Sequence, residues 1–187
     1  MNIAKLFETQ QVLRDRIGYE GPDRLEKLIL ALLVEVGECA NEWRGFKFWS
    51  KDQQPRTVER VAADWDEDGT PNEWSVKPNK NPLLEEYVDG LHFLLEIGLE
   101  LNCTNMLQSI MESETIECQF NDVFNGVCYL RVAIQGDWEE VEKQEAFEAL
   151  WADFWGLGIM LGFTWEQIEQ AYYDKNQVNH ERQDSGY

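Results

Sequence analysis

Residues 30–43, LALLVEVGECANEW, decide how this chain is read, because they join an apolar helix to two acids one turn apart, Glu35 and Glu38. Leu28, Ala31 and Leu32 precede Glu35 on the same side of a helix, and Glu35 is the only charged residue from Leu28 through Gly37. A carboxylate so placed points toward the interior, where an unpaired negative charge is costly and a cation is an effective partner. Glu38, three residues on, projects from the same face, so the pair is spaced to share one ion.

The arrangement recurs in residues 86–93, EYVDGLHF, where Glu86 and Asp89 are again three apart on a stripe with Leu83 before them and Phe93 after them. A single E-x-x-E or E-x-x-D is commonly a solvated helix face, and this chain has 36 acidic residues. Two pairs embedded in apolar stripes are a different matter. Packed face to face, the two helices gather four carboxylates into an oxygen-only site matched to Mg²⁺, which requires near-octahedral oxygen geometry and retains waters that serve as nucleophiles. A di-iron carboxylate bundle needs two Glu-x-x-His motifs; Asp89-x-x-His92 is the nearest approach to one, so iron is disfavoured.

Working outward, apolar residues at Ile3, Leu6, Phe7, Val12 and Leu13 predict a first amphipathic helix, and the carboxylate helix runs from Pro22 or Asp23 to about Trp43. The next begins after Asn81-Pro82, where proline suits the first turn, and continues to about Asn102. Further helices are expected over roughly 104–113, 118–135 and 138–161, with a capped start at Thr164 opening a last one to about Gln183. Strand signals are scarce. The polar stretch 51–79, with Pro55, DWDEDGTPNE and Pro78, reads as an acidic excursion between the two carboxylate helices. The expected fold is an all-α helical bundle in a single domain, residues 1–187.

That last helix places Lys175, Asn179 and Arg182 at i, i+4 and i+7 on one face. Cations near a helix C-terminus complement its dipole. The same residues also form a phosphate-binding set beside an amide able to donate to and accept from a pyrimidine edge. In FKFW, residues 46–49, Lys47 lies beside Phe46, Phe48 and Trp49, a cation next to rings on which a base would stack or which would pack into the core.

Composition narrows the partners. The formal net charge is −20, from 36 acidic against 16 basic residues, and repels a phosphate backbone, so no nucleic-acid polymer is expected. Hydrophobic residues form 43% of the chain and aromatics 12%, which is the balance of a folded globular protein. Cys39, Cys103, Cys118 and Cys128 have no paired spacing, the N-terminus lacks a signal-like apolar run, and Leu28 to Val34 is too short to span a bilayer. A cytoplasmic setting with no membrane contact is the expectation.

Taken together, EVGE, FKFW, EYVDGLHF and KNQVNHERQDSGY resemble the dimeric all-α dUTPases, a branch of the MazG-like NTP pyrophosphohydrolases. The carboxylate pairs mark the wider superfamily; the ending K-N-x-x-N-x-x-R-Q-x-x-G-Y is specific to the dUTPase branch. The resemblance implies hydrolysis of dUTP to dUMP and pyrophosphate, with dUDP a further candidate substrate. It implies two or more Mg²⁺ ions on Glu35, Glu38, Glu86 and Asp89, with Glu38 activating the attacking water. It also implies a homodimer, Phe93 against the sugar, Gln10 or Gln11 reading uracil, and Lys175, Asn179 and Arg182 holding phosphates and base. Segment 51–79 departs from the family pattern. The rival expectations are an enzyme of the same fold for dCTP or a modified nucleotide, and a non-catalytic helical interaction protein.

Overall fold

Asn81 accepts a hydrogen bond from the Leu84 amide at 3.2 Å and Pro82 occupies the first turn, so the second carboxylate helix starts where its proline and cap place it. In the computed structural model, which describes residues 2–77, 80–106, 109–136 and 138–186, it is the third of six helices. Along the chain run α1 (Ile3–Ile17), α2 (Arg24–Trp43), the strands β1 (Arg60–Trp65) and β2 (Pro71–Val76), α3 (Pro82–Glu100), α4 (Ile116–Gln135), α5 (Glu140–Met160) and α6 (Trp165–Asp184). The all-α expectation holds. Pro78, Tyr187 and part of the expected helix 104–113 lie outside the described residues.

Helix α3 is the axis of the bundle. Tyr87, Val88, Leu91, Leu94, Leu95 and Ile97 are buried around its circumference, and it packs on α2, α1, α6 and α5. Each large apolar side chain so buried contributes roughly 1.5–3 kcal/mol. Gly90 sets how closely α3 approaches α5: a Cβ there would lie 3.2 Å from Phe154, while its 3.8 Å to the Cβ of Glu35 on α2 would be ordinary contact.

Two expectations are corrected. Segment 104–113 is not helical among its described residues. Instead the Met111 amide donates to the Ala152 carbonyl (3.1 Å), and the buried Gln119 amide donates to the carbonyls of Met111 (3.0 Å) and Asp153 (2.7 Å) while accepting from the Ser113 amide (2.6 Å). Backbone groups that a helix would have satisfied locally are satisfied from α4 and α5. Met111 also lies so close over Gly156 that no side chain would fit there.

The second correction concerns the excursion, which holds an antiparallel hairpin with Arg60 opposite Val76 and Val61 opposite Ser75. Its turn is built by Asp66, whose carboxylate accepts from the amides of Asp68 (3.1 Å) and Thr70 (2.7 Å), with Gly69 at φ 77°. The hairpin base is tied to the bundle: the Arg56 amide donates to the Glu42 carbonyl (2.9 Å) and the Leu83 amide to the Arg56 carbonyl (3.0 Å). Among the described residues no single helix is long and apolar enough to cross a membrane.

Candidate functional site

Packing of α2 against α3 brings Glu35, Glu86 and Asp89 together, with one carboxylate oxygen from each within 4.8 Å of the others and all three half-buried. Burial pushes the Glu35 carboxyl up to about 7, with the negative charges of Asp89 and Glu38 adding to the rise and Lys175 opposing it. Glu86 also rises to about 7, from burial first and then Asp89, Glu38 and Glu35. Burial raises Asp89 as well, although Lys175 hydrogen-bonds to it and pulls the other way. Glu35 and Glu86, raised to about 7, are poised to exchange protons for a cation, and with Asp89 they form an all-oxygen donor set that suits a hard divalent one.

Glu38 sits one turn beyond Glu35 at the exposed rim. It is not among the three gathered oxygens, yet its charge is felt at both Glu35 and Glu86.

Beside the triad opens a cavity of about 360 Å³. Asp89, His92, Phe93 and Glu96 of α3 line it at i, i+3, i+4 and i+7, so it runs ~10 Å along that helix, given the 1.5 Å rise per residue. Lys175, Asn179, Arg182 and Gln183 of α6 form the facing wall, and the expected i, i+4, i+7 face is thus directed at the cavity. Arg182 reaches Asp89 through its field, which lowers the aspartate's affinity for a proton.

At the other end of the cavity lies a buried polar network. Gln10 Nε2 donates to Glu96 Oε1 at 2.8 Å, while its Oε1 lies 2.8 Å from His92 Nδ1 and 2.9 Å from the Tyr172 hydroxyl. Glu96 Oε2 is 3.2 Å from Arg24 Nη2 and 3.7 Å from Arg14 Nη1, and Glu100 pairs with both arginines as well. His92 stacks on Tyr172 at 4.4 Å and is held neutral, its imidazole lowered to about 3 by burial and then by Lys175. It is turned to Gln10 and not to the carboxylates.

Of the two glutamines, Gln10 lines the cavity; Gln11 faces away and donates to Asp15 at 2.6 Å. Lys47 and Trp49 are not brought to it. They occupy the turn after α2, where Lys47 hydrogen-bonds Asn41, and Trp49 is 65% exposed, edge-on to Phe46 and Phe48. Sequence reasoning missed Glu96, Arg24 and Gln183. The signal for Glu96 was available, since it is a lone acid in the apolar run from Leu91 to Leu99, the pattern that picked out Glu35.

A search of curated proteins gives no match. A protein family described as dUTPase does match, over residues 2–64 and 73–187, with the gap falling on the tip of the β1–β2 hairpin. With its helical fold, the chain therefore belongs to the all-α dUTPase family, hydrolases of nucleoside triphosphates that act on dUTP.

Proposed function

We propose that this protein cleaves dUTP into dUMP and pyrophosphate in a Mg²⁺-dependent reaction at the cavity between α3 and α6. The observation that carries the reading is the half-buried triad of Glu35, Glu86 and Asp89 beside Lys175, in a chain of the dUTPase family. Hard carboxylate oxygens, two of them on groups raised to about 7 by burial and neighbouring negative charge, fit a small divalent cation. Mg²⁺ ions on Glu35, Glu38, Glu86 and Asp89 would polarise phosphoryl oxygens and offset the charge developing on the leaving group.

The protein's own residues divide the remaining work. Glu38, exposed at the rim and so open to solvent, takes the proton of the attacking water. Lys175 and Arg182 bind the phosphate oxygens, with Lys175 transferring from Asp89 to substrate. Phe93 supports the sugar, and Gln10 and Asn179 present amides to the uracil edge. No covalent enzyme intermediate is needed.

The same reading includes a homodimer, supported by Leu30 and Val34, which stand exposed one turn apart on α2. It includes a cytoplasmic location, supported by four cysteines that are all free thiols. Product analysis tests the reaction. Incubation of dUTP with the protein and Mg²⁺ is expected to give dUMP and pyrophosphate in equal amounts; dUDP with orthophosphate, or faster cleavage of dCTP than of dUTP, would overturn it.

A further inference from the structure

We infer that Glu96 is a positioning residue that sets the sense of the Gln10 amide, so that Gln10 offers the base a donor and thereby favours uracil over cytosine. The inference rests on the reading of the cavity as a dUTP site.

The hydrogen-bonding neighbours of Gln10 differ in how adaptable they are. A primary amide fits its site in either of two senses, related by exchanging oxygen and nitrogen. Two of its three neighbours accept both. The Tyr172 hydroxyl, 2.9 Å from Gln10 and 3.2 Å from the Leu6 carbonyl, can donate to Gln10, or donate to Leu6 and accept from Gln10. His92, neutral and buried, can carry its proton on Nδ1 and donate, or carry it on Nε2 and accept at Nδ1. Glu96 accepts only one sense. Its Oε2 is paired with Arg24 and Arg14, and its Oε1 faces Gln10 Nε2 at 2.8 Å. A carboxylate has no proton to donate, so the reversed amide would set oxygen against oxygen in a buried site.

With the sense fixed, the amide edge left over is determined. Gln10 Oε1 has both lone pairs committed, to His92 and Tyr172, whereas Nε2 has two protons and gives only one to Glu96. Gln10 lines the cavity, and the remaining N–H is the one hydrogen-bonding group its amide has left to offer there. An N–H donor suits a carbonyl such as uracil O4 and is opposed by the amine that cytosine carries at that position. The reversed amide would spend both protons on His92 and Tyr172 and offer an acceptor, which suits cytosine.

The test compares kcat/KM for dUTP and dCTP in the full-length protein with Mg²⁺. Glu96→Gln removes the charge and supplies an amide compatible with either sense, while Glu100 remains to pair Arg14 and Arg24. The dUTP to dCTP ratio is expected to fall by about tenfold or more, the range for losing a buried polar discriminator. Glu96→Asp keeps the anion and should restore most of the ratio, and Glu100→Gln should leave it unchanged. A structural lesion would lower both nucleotides together. A ratio unaffected by Glu96→Gln overturns the inference. Should that variant not fold, the double variant Gln10→Met with Glu96→Met serves instead, and full discrimination there overturns it equally. Wild-type protein inert toward dUTP would overturn the functional reading itself, a result distinct from either.

Discussion

Lys175 Nζ donates to Asp89 Oδ2, so the lysine on the cavity face of α6 is held by a carboxylate of the α3 pair. On the proposed reading, a cation held by Glu35, Glu86 and Asp89 would compete for that carboxylate, and Lys175 would then be available to the phosphates. Lys175→Met is therefore expected to raise KM for dUTP by about tenfold to a hundredfold, the span for one charge-assisted hydrogen bond. Steady-state kinetics at saturating Mg²⁺ decide this, and an unchanged KM would exclude the role.

Acid and base should act on stability in an unusual direction in the metal-free protein. Glu35 and Glu86 are raised from an ordinary 4.5 to about 7 in the folded state. Between those values the folded chain holds protons that the unfolded chain has released, so this contribution falls as pH rises from about 4.5 to about 7 and is flat above. Glu86→Gln should flatten that fall, and so should saturating Mg²⁺ in the parent. Urea midpoints at pH 5 and pH 8, with and without Mg²⁺, measure both. A parent and a Glu86→Gln variant with the same pH slope would contradict the account.

On α6, Asn179 and Arg182 are expected to separate by function. Asn179→Ala should weaken the preference for dUTP over dCTP, because an amide reads a base edge, whereas Arg182→Ala should weaken binding of any triphosphate, because a guanidinium holds charge. Competition between the two nucleotides distinguishes them. Equal losses for both in the Asn179 variant would remove it from base reading.

Glu38→Gln keeps the shape of the side chain and removes its charge and proton acceptor. Turnover is expected to fall by at least the roughly 10²–10⁴-fold typical of a lost general base, with KM affected less. Near-parent turnover at saturating Mg²⁺ would move the role elsewhere, and Glu35 would be next to examine.

Much of the bundle was legible from local chemistry. The α3 start at Asn81-Pro82 and the α6 start at Thr164 carry caps that act within a few residues. The Glu35, Glu86 and Asp89 grouping was legible because a lone charge in an apolar run has few places to go. Tertiary bonding was not legible. Segment 104–113 reads as helical by local pattern, but the backbone groups of Met111 and Ser113 are taken by Gln119 and Ala152, and the β1–β2 hairpin was hidden by a turn rich in acids. The Gln10 network joins α1, α3 and α6, residues 82 to 162 positions apart, a separation that no periodicity reports. Lys47 and Trp49 were singled out from the local sequence FKFW, a cation beside rings, and their turn carries them away from the cavity.

The most direct test of the central claim is pyrophosphate release from dUTP by the purified protein, with Mg²⁺ and then with excess chelator. The account predicts rapid release with Mg²⁺, loss of it under chelator, and recovery on adding Mg²⁺ back. Absence of release from dUTP under all three conditions, or release indifferent to chelator, would contradict it.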